Sequence, residues 1–250
     1  VTVRNFKLDL LFLRDDDIPE YVQDGVADIG IVGENVVSEK KANIELIKKL
    51  GFSKCKLMIA IPQEAELNDV SGLNGKTIAT SYPNILQEYL TQNNVNSKVI
   101  EISGSVEIAP SLGIADYICD IVSTGNTLKS NKLKKSFNVF NSEAILIGTK
   151  NIYEQKNKID ALNDLLDRID STIAAKDLKY LMMNIPRKQL DIVTEIIPSV
   201  SSPSILPLAN AEFVAVHTVI QKDKFWTIIN DLKRAGATGI LLLPIENMIA

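Results

Sequence analysis

Short apolar runs recur along this chain, each closed by a turn signal and followed by a stretch with helical spacing. Leu8–Leu13, Ala27–Val32, Glu45–Leu50, Leu57–Pro62, Lys76–Thr80 and Lys98–Ile102 read as strands. Ile18–Asp24, with Pro19 in its first turn, and Ile85–Asn93 read as helices, and Ser105–Leu112 as a helix start. Strands alternating with helices at this rhythm predict an α/β fold with mostly parallel sheets. Gly25-Val26-Ala27-Asp28 recurs as Gly113-Ile114-Ala115-Asp116, each time between a helical stretch and an apolar strand. One such unit in each of two lobes would face a common cleft, where small-molecule ligands tend to bind.

Asn157–Lys179 carries Ile159, Leu162, Leu165, Leu166, Ile169 and Ile173 on one face, the longest helical pattern. From Tyr180 the pattern changes. Lys188–Ile197 reads as helix, Ser204–Leu208 as extended, Val214–Ile220 as strand, Lys222–Arg234 as helix and Ile240–Ile245 as strand. That order fits a small α+β sandwich of the split βαβ kind. The expected division is residues 1–64 with 142–183 as one lobe, 65–141 as the second lobe, and 184–250 as a separate C-terminal domain.

With 250 residues, 46% of them hydrophobic, the chain can bury a sizeable core. A net charge of −4 gives no general basic face for nucleic acid or an anionic membrane. No apolar run has the length to span a bilayer. Cys55 and Cys119 lack a CxxC partner; they read as free thiols, which suits a cytoplasmic location. The single histidine, His217, lies on a strand-like segment and reads as structural, and Trp226 as core with Phe225 and Ile229.

The chemistry concentrates around residues 107–128. An apolar strand ends in Asp120-Ile121-Val122 and breaks into Ser123, Thr124, Gly125, Asn126 and Thr127, after which a helix can start. Backbone N–H groups, hydroxyl donors and the positive end of a helix gathered at one turn suit a phosphate. A plain strand-to-helix turn with a Ser/Thr cap is the bland alternative. Asp120 can accept hydrogen bonds from sugar hydroxyls beside that phosphate, so the pair suits a phosphoribosyl donor. Asp28 and Asp116 fit a turn-forming role. Arg14 to Asp17 follow a strand-like segment; Arg14 offers a fork of donors for phosphate, while Asp15, Asp16 and Asp17 could equally cap the next helix. Gly30 to Glu34, including Gly33 and Glu34, would present backbone groups to a nucleotide; a plain strand end is the bland alternative.

Glu107, Gly113-Ile114-Ala115, Ile118, Asp120, Thr124-Gly125 and Thr127-Leu128 together resemble the signature of the ATP phosphoribosyltransferase family. The likeness extends through Arg14–Pro19, Gly25–Gly33, Ile185-Pro186-Arg187, Ser202-Pro203-Ser204 and Gly236–Gly239. It implies a two-lobed catalytic unit like the periplasmic binding proteins, plus a C-terminal ferredoxin-like (ACT-like) domain of the long-form enzyme. It implies transfer of the phosphoribosyl group of phosphoribosyl pyrophosphate (PRPP) to N1 of ATP, the first step of histidine biosynthesis, with histidine as feedback inhibitor. Glu107 and Asp120 would be catalytic, Ser123 to Thr127 would hold PRPP, and Arg14, Asp17, Gly33 and Glu34 would meet ATP. Carrying the histidine pocket across lands on Asn184, Ser204 and Gly239, with Asn184 standing where an acidic residue is expected. Mg²⁺ would be held mainly by the substrate pyrophosphate, and the protein would assemble from dimers to hexamers. Family members open with a further strand and helix bearing a basic substrate loop; nothing near Val1 matches it, so the sequence is expected to be a fragment or to lack that leading segment. The rival reading is a two-lobed sensor or solute-binding protein without catalysis.

Overall fold

A computed structural model describes residues 1–122 and 125–249. The chain forms two compact units, Val1–Lys156 and Asn157–Ala250. The first contains α1 (Ile18–Gln23), β1 (Ile29–Gly33), α2 (Glu34–Lys40), β2 (Glu45–Lys49), β3 (Cys55–Pro62), β4 (Thr77–Thr80), α3 (Pro83–Gln92), β5 (Lys98–Glu101), β6 (Tyr117–Val122), α4 (Asn126–Ser130), β7 (Leu133–Ser142) and β8 (Ala144–Gly148).

These strands make a three-stranded sheet, β1-β8-β2, and a five-stranded sheet, β5-β4-β6-β3-β7. Only β4 pairs parallel, with β5 and β6; the other ladders are antiparallel. The mostly parallel expectation is thereby corrected, and connectivity explains it. The chain enters the larger sheet on β3 and leaves it on β7, crossing between lobes at one place, so the entering and leaving strands run opposite ways. Parallel pairing needs a long crossover, and β4-α3-β5 has one.

Period-two alternation fills both faces of the larger sheet. Leu57, Ile59 and Ile61 of β3 join Ile78, Leu86, Leu90 and Tyr117 in one apolar cluster. Met58 and Ala60 turn the other way, to Ala79, Val106, Ile118, Val122 and Leu128. Asp120 has the parity of Ile118 and Val122, which sets the face it shares. In the smaller sheet, Ile145 and Ile147 of the buried strand β8 pack on Val22, Val32 and Val36.

Leu8–Leu13 is not a strand. It makes only an isolated bridge, Thr2 to Asp9, and Leu11 and Phe12 stay exposed, because no neighbouring ladder takes its backbone. Ser105–Leu112 yields only a single 3₁₀ turn, Val106–Ile108, entered from Ser105 at φ 51°. The sequence reading did not identify α2, β7 or β8.

The second unit contains α5 (Lys156–Ala175), β9 (Leu178–Pro186), α6 (Leu190–Ile196), β10 (Ser204–Pro207), β11 (Phe213–Gln221), α7 (Phe225–Arg234) and β12 (Thr238–Pro244). Its sheet runs β10-β11-β9-β12, wholly antiparallel, which is the ferredoxin-like order. Strand β9 supplies the first strand that the sequence reading lacked. Leu181, Met183 and Ile185 of β9 and Val214 and Val216 of β11 pack on Val193, Phe225, Ile229 and Leu232 of α6 and α7. Trp226 is not core: it is 77% exposed. Phe225, Ile229 and Leu232 form the i, i+4, i+7 stripe, and the next residue after Phe225 lies about 100° round the helix.

Candidate active site

The face of the larger sheet that carries Ile118 and Val122 also carries Asp120. The Asp120 carboxylate accepts a hydrogen bond from the Ile121 N–H at 2.7 Å. Burial pushes its pKa above the ordinary carboxylate range; that backbone bond opposes the shift, and the charge of Glu107 adds to it. Glu107 comes from the 3₁₀ turn Val106–Ile108, whose Val106 is buried against the same face. The fold thus brings the two expected catalytic carboxylates into electrostatic contact.

Beyond β6 the chain reaches Gly125 at φ 87°, a left-handed conformation suited to glycine, and α4 begins. Asn126 and Thr127 open that helix, whose Leu128 is buried and anchors it to the sheet. Ser123 and Thr124 lie outside the described residues. A side chain at Gly125 would meet Lys135 of β7, whose Cε lies 2.7 Å and Nζ 3.1 Å from the Cβ position. The sequence reading did not single out Lys135.

The residues expected to meet ATP are arranged differently. Arg14 is exposed, and its carbonyl accepts from the Asp17 N–H at 3.0 Å. Asp17 makes no side-chain cap to α1, and Asp15 accepts from the Asp16 N–H instead. Gly33 is the N-cap residue of α2, and Glu34 pairs with Lys49 at 2.8 Å.

Between these regions lies a polar network with no short-range sequence signal. The hydroxyl of buried Ser142 donates to the Asn35 side-chain oxygen at 2.8 Å and accepts from the Asn35 N–H at 3.1 Å. The Asn35 amide donates to the Tyr82 hydroxyl at 3.4 Å. The pKa of Tyr82 is pushed up to about 12, by burial first and then by the charge of Asp120. Glu39 of α2 accepts from the N–H groups of Asn84 and Ile85 at 2.9 and 3.0 Å, capping α3 across the lobes.

The repeated motif is a turn device in both copies. Gly25 and Gly113 take φ 72° and 69°. Asp116 accepts from the Thr77 N–H at 2.8 Å, and the Asp28 carbonyl from the Thr149 N–H at 3.1 Å.

In the second unit Asn184 lies beside Gly239, where a Cβ would stand 3.4 Å from its amide nitrogen. The Asn184 side-chain oxygen is buried without a hydrogen-bond partner. Ser204 lies two strands away, opposite His217. His217 Nδ1 is 2.8 Å from the Tyr180 hydroxyl. Among the described residues no group of three or more His, Cys, Asp or Glu is placed to hold a metal, and no helix is long and apolar enough to cross a membrane.

The fold is that of a two-lobed α/β unit followed along the chain by a ferredoxin-like domain. The family described as ATP phosphoribosyltransferase matches residues 14–171, and the HisG C-terminal domain matches residues 175–247. An ATP phosphoribosyltransferase of Cytophaga hutchinsonii is 51% identical over 98% of this chain and 85% of its own length. One from Maricaulis maris is 41% identical over 98% of this chain and 86% of its own. The ATP phosphoribosyl transferase (HisG:HisZ) complex of Thermotoga maritima aligns with a TM-score of 0.56 at 30% identity, covering 63% of this chain and 77% of that one. The chain belongs to the ATP phosphoribosyltransferase family, and it is an enzyme of the phosphoribosyltransferase class. The non-catalytic sensor reading gives way.

Proposed function

We propose that the chain transfers the phosphoribosyl group of PRPP to N1 of ATP, as the first step of histidine biosynthesis. The observation that carries this reading is the Asp120–Glu107 pair beside the turn that enters α4. In the reaction, the N1 lone pair of adenine forms a bond to the anomeric carbon as the bond to pyrophosphate breaks. The electron pair of that bond leaves with pyrophosphate, and positive charge builds on the ribose ring. Two carboxylates held close in a partly desolvated place gain from that charge, because it relieves their mutual repulsion. Asp120 and Glu107 would also take hydrogen bonds from the ribose hydroxyls. Ser123 to Thr127 would hold the 5′-phosphate, and Arg14, Asp17, Gly33 and Glu34 would line the ATP side. Mg²⁺ would ride mainly on the pyrophosphate and neutralise its charge.

The second unit would act as the histidine sensor. The unpartnered Asn184 oxygen beside Gly239 suits an ammonium or imidazole N–H, and Ser204 lies on the same sheet. Residues 1–64 with 142–183 would form one lobe and 65–141 the other; the compact units themselves divide after Lys156. We further infer a cytoplasmic homo-oligomer, from dimer to hexamer.

Pyrophosphate release that requires both ATP and PRPP, and that Asp120→Asn slows steeply, is the expected result. PRPP binding with no ATP-dependent release would overturn the transferase reading.

A further inference from the structure

Lys135 stands out because the function described above makes no use of it. It lies on β7 opposite Ala60 of β3, and Ala60 lies opposite Ile118 of β6. Directly opposed residues share a face of a sheet, so Lys135, Ala60 and Ile118 form a row, with Asp120 two positions along β6 on that face. From there the lysine side chain runs to Gly125, with its ammonium 3.1 Å from the Cβ position of the glycine. Any larger residue at Gly125 would have to displace that chain. The missing side chain therefore serves two ends: it permits φ 87°, and it leaves the space across which the lysine extends.

The charges on this face are ordered. Asp120 lies on this face of β6 and feels the charge of Glu107, and an ammonium lies beside Gly125, where the chain turns into α4. A sugar phosphate has the complementary order, hydroxyls at one end and a dianion at the other. We propose that Lys135 is a substrate-anchoring residue whose ammonium contacts the 5′-phosphate of the phosphoribosyl donor. The inference rests on the donor-binding reading of that turn. It assigns the contact to the phosphomonoester rather than to the pyrophosphate, since the ammonium lies at the turn assigned to the 5′-phosphate while Asp120 and Glu107 are assigned to the ribose. An ammonium acts here as a point charge and strong donor, which arginine can partly replace and an apolar chain cannot.

The test is calorimetric titration of the full chain with Mg²⁺–PRPP, ribose 5-phosphate, Mg²⁺–pyrophosphate and ATP. The proteins are the parent, Lys135→Met, Lys135→Arg and the neighbouring control Lys134→Met. Lys135→Met should weaken PRPP and ribose 5-phosphate by about tenfold or more, as expected for a lost charge-assisted contact. Lys135→Arg should recover most of that loss, and ATP binding should stay as in the parent. Lys134 lies opposite Ile61, on the other face, so Lys134→Met should bind like the parent. If the parent binds PRPP and Lys135→Met binds it equally well, the inference fails while the donor site stands. If pyrophosphate affinity falls and ribose 5-phosphate affinity does not, the assignment to the 5′-phosphate is wrong. A parent chain that binds neither PRPP nor ribose 5-phosphate would sink both the donor reading and this one.

Discussion

The strands β1 and β6 follow the same four-residue turn motif, yet their far ends are physically opposite. Where β1 runs into α2, polar groups are matched: Glu34 has Lys49, Asn35 has Ser142 and Tyr82, and Glu39 has the first N–H groups of α3. At the end of β6 a half-buried carboxylate feels the like charge of a second carboxylate, with one backbone bond to offset the burial. Matched groups lower the energy of the folded chain by themselves. A crowded carboxylate does so only when something positive arrives. Under the proposed function, the contrast separates polar contacts that join the lobes from a carboxylate pair that would face a developing charge.

The largest effect expected from this contrast is at Asp120. Asp120→Asn should lower kcat/KM by about 10²–10³-fold, the scale of losing one preorganised electrostatic contact. The same substitution should stabilise the protein at neutral pH. A carboxyl whose pKa is raised on folding weakens the fold as pH climbs from its unfolded to its folded value, and the cost is fully present above that. Thermal melts should therefore show Asp120→Asn above the parent near pH 7, with the gap closing as pH falls through the carboxylate range.

On the β1 side the expected sign is reversed. Asn35→Ala removes the side-chain bonds to buried Ser142 and half-buried Tyr82 and should cost about 2 kcal/mol, measured by denaturant unfolding. Glu39→Gln should cost about 1 kcal/mol, since it removes the charge that caps α3. A smaller effect concerns pH. With Asp120 acting ionised as proposed, the acid limb of kcat/KM should lie above the ordinary carboxylate value, and Glu107→Gln should move it to lower pH by removing the like charge. The smallest concerns the exposed pair: Glu34→Gln should leave the melting temperature within about 1 °C.

Much of the fold was legible where apolar residues run together, as in β3 and β6, or repeat at helical spacing, as in α5. The β7 segment, Leu133–Ser142, interleaves Lys, Ser and Asn with Phe and Val, and its identity as a strand depends on pairing with β3. Leu8–Leu13 fails in the opposite sense, being apolar with no ladder to join. In the site, Asp120 was singled out by its place at the end of an apolar strand before a Ser- and Gly-bearing turn, and Glu107 through the family resemblance; the roles of both belong to the proposal. The Asn35–Ser142 bond joins residues 107 positions apart, and Glu39 reaches Asn84 across 45, so local pattern carried no sign of either. Lys135 was hidden for the same reason: its place above Gly125 arises from sheet register.

The central claim is that the β6 end, and not the β1 end, receives the phosphoribosyl donor. The most direct measurement is calorimetric affinity for Mg²⁺–PRPP in the parent, Asp120→Asn, Thr127→Ala and Glu34→Gln. The account predicts saturable binding that Asp120→Asn and Thr127→Ala both weaken and Glu34→Gln leaves intact. Equal loss in all three variants, or loss in Glu34→Gln alone, would contradict it.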